Sequence, residues 1–267
     1  MLRDITIGQY YNSNSVIHRM DARTKILWTI FYMVLLFMID GPVMYGAIIA
    51  FTAFVIKISK IPFRFILRGI KPIVVLIAFT ALLNLFMTPG ENVLFSLGFL
   101  KITREGVYLA VKMVVRVILL IIGTSLLTLT TTPTVLTGGI EVLLSPLKRI
   151  GVPVSVFSMM MSIALRFIPT LMDEIDKIMK AQISRGADFE SGNILARVKA
   201  MVPILIPLFI SAFRRADELA VAMECRCYSC DGQRTRFREY RFGKYDFYSF
   251  LVMIVLCIVM IIIKVVR

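Results

Sequence analysis

The run TKILWTIFYMVLLFMI at residues 24–39 is followed, across Asp40-Gly41-Pro42, by VMYGAIIAFTAFVIKI at residues 43–58. A helix crosses a bilayer with roughly 20 apolar residues, in a range of about 17–25, so each run is slightly short. Asp, Gly and Pro in succession mark a turn. The two runs therefore predict a hairpin of short spans. Further out, residues 70–88 predict a third span, closed by Thr88-Pro89-Gly90. Residues 106–130 predict a fourth. Residues 246–266 predict a fifth, with Lys264 and Arg267 at its end. The whole composition agrees: 58% of the 267 residues are hydrophobic and the mean hydropathy is +0.82, against about 45–50% apolar in soluble domains. Residues 1–25 are polar and hold Arg3, Arg19, Arg23 and Lys25, which does not fit a cleaved signal peptide.

The net charge is +14. In membrane proteins Lys and Arg accumulate in cytoplasmic loops. The N-terminal segment is basic, and the loop after the second run carries Lys57, Lys60, Arg64, Arg68 and Lys71. The loop between spans three and four carries only Lys101 and Arg104, and Asp40 caps the first hairpin. This bias predicts a multi-pass protein of the cytoplasmic membrane with its N-terminus inside. The basic residues are interleaved with apolar helical stretches, and no recognised nucleic-acid motif is present, so the expected partner is the lipid bilayer and not a nucleic acid. Cys225, Cys227 and Cys230 fall in the basic region, where cytoplasmic thiols stay reduced.

Residues 132–245 hold sixteen Lys and Arg. The segment is too charged to be bilayer throughout. It is too apolar, in Val154–Leu165 and Val202–Phe213, to stay solvated as a linker. Amphipathic helices at the membrane surface or against a partner remain. On 168–184 one face carries Ile168, Leu171, Ile175, Ile178 and Gln182, and the opposite face Asp173, Lys177, Lys180 and Ser184, which is the helical period. A second helix runs from about Asn193, is interrupted at Pro203 and Pro207, and continues to about Cys227. Its later face shows Leu205, Phe209, Ala212, Ala216, Leu219 and Met223. Its outer face shows Arg214, Arg215, Asp217, Glu218 and Glu224. A shorter helix is expected between Pro133 and Pro146. Such stripes ordinarily pack into a helical core, but this apolar face is too large for two or three helices to bury among themselves.

The expected fold is therefore an all-α membrane protein. About five transmembrane helices accompany a cytoplasmic domain of two long amphipathic helices and one shorter helix. The boundaries are a four-span region at 1–131, the cytoplasmic domain at 132–245 and a C-terminal span at 246–267.

The two long helices end alike. The first closes on Ala181-Gln182-Ile183-Ser184-Arg185-Gly186, the second on Ala222-Met223-Glu224-Cys225-Arg226-Cys227. Asp176 and Asp217 stand nine positions before the two arginines. Arginine at a helix C-terminus favours the negative end of the dipole and can donate several hydrogen bonds. Small neighbours let such a tip enter a groove, and two copies suggest two equivalent grooves. Ordinary arginine capping of two helices gives the same pattern.

With Asp21-Ala22-Arg23-Thr24-Lys25, Arg166-Phe167-Ile168-Pro169 and Arg215-Ala216-Asp217-Glu218-Leu219-Ala220, these tips resemble the transmembrane T component (EcfT; CbiQ/BioN-like family) of energy-coupling-factor transporters. These are ABC-type importers of vitamins and metals. The resemblance covers essentially the whole chain. It implies a non-catalytic subunit of an ATP-driven transporter. It implies as partners two ABC ATPase subunits and a substrate-binding membrane S component. ATP and Mg would be bound by the ATPases, and no cofactor by this chain. It places ATPase docking on Ser184, Arg185, Gly186, Cys225, Arg226 and Cys227, supported by Asp176, Gln182, Asp217 and Met223. The S-component interface would use Met160, Ile163, Phe167, Leu171, Ile175, Leu205, Phe209 and Ala216. The cysteine flanks of the second tip depart from the family's usual pattern.

Cys225-x-Cys227-x-x-Cys230 has no fourth ligand nearby, and His18 is the only histidine, so a structural zinc is not expected. His18 reads as a packing residue. Lys112 and Arg116 share a face inside span four; Lys112 is expected to snorkel outward and Arg116 to face protein or water. No phosphate loop, H-E-x-x-H or G-x-S-x-G pattern occurs. The alternative function, an intramembrane enzyme acting on anionic lipids, finds neither paired catalytic carboxylates in a span nor a nucleophile–His pair.

Overall fold

The computed structural model describes residues 10–89, 93–97, 100–187, 189, 193–229 and 242–266. They form ten α-helices: α1 (Val16–Arg19), α2 (Ala22–Met38), α3 (Pro42–Ser59), α4 (Phe63–Ile70), α5 (Val74–Met87), α6 (Arg104–Thr130), α7 (Pro133–Leu143), α8 (Val154–Ser184), α9 (Ile194–Glu224) and α10 (Lys244–Val266). Between α5 and α6 a short antiparallel hairpin, β1 (Val93–Leu97) and β2 (Leu100–Thr103), is added to the expected helices. The chain divides into two compact units: residues 144–229, and residues 10–143 with 242–266.

Five helices are long and apolar enough to cross a membrane: Pro42–Ser59, Phe63–Met87, Arg104–Thr130, Val154–Ser184 and Lys244–Val265. This is a multi-pass membrane protein. Four of the five answer to spans two to five of the sequence. The first run, α2, has 17 residues, because the Asp40-Gly41-Pro42 turn stops it early. At 1.5 Å per residue it reaches about 26 Å. The fifth qualifying helix is α8, which joins the apolar run Val154–Leu165 and the amphipathic run 168–184 into one helix through Pro169. Its charges gather in the second half, leaving a first half with Arg166 alone.

The larger unit is built around α2, α3 and α6. Tyr32, Leu35 and Leu36 of α2 and Ile39 just after it pack with Met44, Tyr45 and Ile48 of α3, Leu119 of α6 and Met260 of α10. Gly123 allows the close approach of α6: a Cβ there would stand 2.6 Å from Cε1 of Tyr32. The Tyr32 hydroxyl lies 2.9 Å from Thr52 Oγ1, whose own proton goes to the Ile48 carbonyl at 2.8 Å. A second cluster holds Ile61, Ile66, Ile122 and Leu129. α7 packs on α2.

The family-like segment Asp21–Lys25 ties one end of this unit together. Asp21 caps α2 by accepting from the Arg23 amide at 3.0 Å and pairs with the Arg23 guanidinium at 2.8 Å. That guanidinium lies 4.3 Å from the Phe242 ring. Buried Lys25 donates from Nζ to the Thr130 carbonyl at 2.9 Å, at the end of α6. Asp246, 2% exposed, accepts from the Asp21 amide at 2.9 Å and from the Gly243 amide at 2.8 Å. Its second bond is the back-reaching half of a capping box at the start of α10. The N-termini of α2 and α10 thus meet the C-terminus of α6.

The opposite end holds the charges of span four. Lys112 reaches the hairpin turn, where its ammonium donates to the exposed Asp40. That hydrogen bond holds the Asp40 carboxyl below the usual carboxylate range, with the Lys112 charge adding to it. Arg116 faces protein, as expected. Its Nε donates to the Tyr45 hydroxyl at 3.1 Å and its Nη2 to the Ile39 carbonyl at 3.3 Å. His18 is a packing residue: the ring contacts the Tyr11 carbonyl through Nε2 at 2.9 Å and Ser15 through Nδ1 at 2.7 Å. Burial lowers its pKa.

Candidate functional site

The smaller unit is organised by α8 and α9, each 31 residues long. The face of α8 expected to be apolar, Ile168, Leu171, Ile175, Ile178 and Gln182, is half-buried, and Asp173, Lys177, Lys180 and Ser184 are exposed. Three contacts fix how the helices run. Gln182 Nε2 donates to the Pro203 carbonyl at 3.4 Å. Arg215 pairs with Glu174 at 3.1 Å. Tyr228 donates to the Met159 sulfur at 2.7 Å. As the α8 number falls the α9 number rises, so the helices are antiparallel. The two arginine tips therefore lie at opposite ends of the pair. Tyr228 sits beside Met159, about 25 residues up α8 from Arg185, which separates the tips by roughly 35–40 Å at 1.5 Å per residue.

The tips have the same backbone. At the first, the amides of Gly186 and Ala187 donate to the carbonyls of Ile183 and Gln182, at 2.9 and 3.0 Å. At the second, the amides of Cys227 and Tyr228 donate to the carbonyls of Glu224 and Met223, at 2.8 and 3.0 Å. Both are Schellman motifs, with the arginine as the last residue before a left-handed position. Gly186 has φ 86° and Cys227 φ 54°. Glycine adopts this region freely, and cysteine does so at a cost. Ser184, Arg185, Gly186, Cys225, Arg226 and Cys227 are all exposed, so each guanidinium projects from a fixed helix end carrying the negative pole of the dipole. Gln182 and Met223 supply the carbonyls that close the two caps. Asp217 is exposed and Asp176 half-buried.

The second face differs from the sequence reading. Arg215, expected outside, is half-buried against Glu174, while Leu205, Phe209 and Ala216 are exposed. The inward positions of α9 include Ile204, Leu208, Ser211, Ala212, Arg215, Leu219 and Met223: Ala212, Leu219 and Met223 face inward as expected, and the stripe turns by about one residue at the other three positions. Counting apolar letters sends every charge outward; a facing carboxylate reverses that for Arg215. The turn leaves a long apolar surface on α9, from Leu195 through Val198, Val202, Ile206 and Phe209 to Phe213. Of the other residues assigned to the S-component interface, Met160 is exposed, and Ile163, Phe167, Leu171 and Ile175 are half-buried. Cys225 and Cys227 are free and exposed; Cys230 lies outside the described residues.

A family model described as a cobalt transport protein (CbiQ) matches residues 13–236. An energy-coupling factor transporter transmembrane protein EcfT from Acidaminococcus fermentans is 54% identical over 260 residues, covering 97% of each chain. The chain belongs to this family of energy-coupling factor transporter transmembrane proteins. EcfT of Ruminiclostridium cellulolyticum is 56% identical over 246 residues, 92% of each chain, and EcfT of Bacillus subtilis 46% identical over 239 residues, 90% of each. These EcfT relatives are named as transmembrane components of a transporter, and the chain is likewise a non-catalytic component.

Proposed function

We propose that the chain is the coupling subunit of an ATP-driven importer of vitamins or metals, in which Arg185 and Arg226 each seat in a groove on one of two ABC ATPase subunits. The observation that carries this reading is the pair of identically capped, exposed arginines at opposite ends of one antiparallel helix pair. A single docking groove would need one tip. Two equivalent grooves, set apart as on two ATPases, suit two. When ATP draws the ATPases together the tips are carried with them, and α8 and α9 change their crossing. The exposed stripe of α9, with Phe209 60% exposed, exceeds what a helix leaves to water and supports a substrate-binding membrane protein as its cover. Met160 and Met161, exposed on α8, are adaptable contacts for such a partner. The excess of Lys and Arg in the N-terminal segment and in the loop before α5 supports a cytoplasmic N-terminus and cytoplasmic tips. ATP and Mg belong, in this reading, to the ATPases.

The test is to co-express the chain with its ATP-binding subunits and replace both arginines, R185A/R226A. Loss of ATPase co-purification and of uptake, with the chain still in the membrane, is the expected result. A doubly changed chain that assembles and transports normally excludes the docking role.

A further inference from the structure

The passage from α3 to α5 carries Lys57, Lys60, Arg64, Arg68 and Lys71, and no Asp or Glu stands between Asp40 and Glu91. All five cations are exposed. Among the described residues none of them enters an ion pair. Their charge therefore has no counterpart on the described part of the chain.

Local structure arranges three of them in a row. α4 is a separate eight-residue helix, set off from α5 by a 3-10 turn at Lys71–Ile73 where Pro72 interrupts the amide ladder. Ile66, fully buried, fixes one side of α4 against Ile61, Ile122 and Leu129. Two residues before and after it, Arg64 and Arg68 point the other way, one turn apart, and Lys71 continues the row at the next turn. Phe63, 59% exposed, and Leu67 flank the row on the outside. The Arg68 guanidinium lies 5.6 Å from the Phe65 ring. Because α4 opens the membrane-crossing stretch Phe63–Met87 directly after α3, it stands where hydrocarbon gives way to headgroups. Phe63–Met87 is 25 residues long, about 37 Å against a hydrocarbon core of about 30 Å, so its first turns project beyond the core. Unpaired cations in register, with exposed apolar side chains beside them at that depth, have the composition of an interfacial helix.

We propose that α4 is a binding site for the phosphate headgroups of anionic phospholipids, with Arg64, Arg68 and Lys71 as its ligands and Phe63 and Leu67 seated among the upper acyl chains. An acidic protein surface would match the charges but not the two exposed apolar side chains beside them. This site is independent of the coupling reading, since it uses neither arginine tip.

The test uses the full chain, purified in neutral detergent and titrated with mixed micelles holding phosphatidylglycerol or phosphatidylcholine, with bound lipid counted by native mass spectrometry. Wild type prefers phosphatidylglycerol. R64Q/R68Q/K71Q loses about fivefold in affinity per removed charge, about a hundredfold in all. A control with as many charges removed elsewhere, K177Q/K180Q/K199Q, keeps the wild-type affinity. The conservative R64K/R68K/K71R keeps most of it, which holds the test open should the glutamine variant fail to fold. The proposal is overturned if wild type binds the two lipids equally. It is also overturned if the control falls with the glutamine variant, or if only an acidic protein partner, and not phosphatidylglycerol, is lost with the row.

Discussion

Exchanging the left-handed residues of the two tips isolates the geometry that presents the arginines. Gly186 and Cys227 occupy the same position of the same cap, with φ 86° and 54°. A Cβ placed on Gly186 meets nothing within 4 Å, so G186A adds no clash and acts through the backbone alone. The left-handed region costs a residue with a Cβ roughly 1–2 kcal/mol. Replacing glycine returns about 0.4–1 kcal/mol through the unfolded chain. The net loss is about 1 kcal/mol, and C227G gains about the same. In opening equilibria that is about fivefold in each direction. Amide hydrogen exchange reads it locally. In G186A the amides at positions 186 and 187 exchange about fivefold faster, and in C227G those at 227 and 228 about fivefold slower. The other tip is unchanged in each variant. Equal exchange at both tips before and after the exchange of residues would refute the claim that the caps are equivalent and that Cys227 carries backbone strain.

The Glu174–Arg215 pair joins α8 to α9 while its side chains remain 26% and 34% exposed. A double-mutant cycle with E174Q and R215Q should give a coupling of about 0.5–1 kcal/mol by thermal unfolding; zero coupling would mean the pair does not hold the helices. Asp246→Ala leaves the half-buried Asp21 amide without its acceptor, while water can reach the exposed Gly243 amide, and should cost about 1–3 kcal/mol. Asp246→Asn, which keeps one acceptor, should cost less. His18 has a folded pKa below its ordinary value because burial disfavours the imidazolium. The unfolded chain therefore binds the proton more readily, and stability contributed by His18 is present above pH about 6.5 and lost as pH falls through that value toward the folded pKa. H18Q should flatten the melting temperature against pH between about 5 and 7, whereas an unchanged slope would assign that dependence elsewhere.

Local signals were legible where one residue dictates one geometry. Asp40-Gly41-Pro42 turns α2 into α3, with Pro42 in the first turn of the new helix. Gly186 ends α8. The period of Ile168, Leu171, Ile175 and Ile178 gave the inner face of α8. Pairings between distant helices were not legible, because periodicity says which face is apolar and nothing about what stands opposite. Lys112 meets Asp40 across 72 positions, and Asp246 meets the Asp21 amide across 225. Neither partner is marked by its neighbours, although the spacing of Gly243 and Asp246 is that of a capping box. The inner face of α9 departs from its apolar letters at Leu205, Phe209 and Ala216 for the same reason, since Glu174 draws Arg215 inward. The left-handed Cys227 was hidden because cysteine seldom takes that conformation. The repeat with Gly186, 41 residues earlier, was the one signal that could have exposed it.

The coupling role is tested most directly by placing a photoreactive side chain at position 185 or at position 226 in the full chain, expressed together with its ATP-binding subunits. The expected result is that each position cross-links to an ATP-binding subunit, the two positions reaching separate copies or separate proteins. Cross-links from both positions to lipid, or to the substrate-binding protein alone, would contradict it.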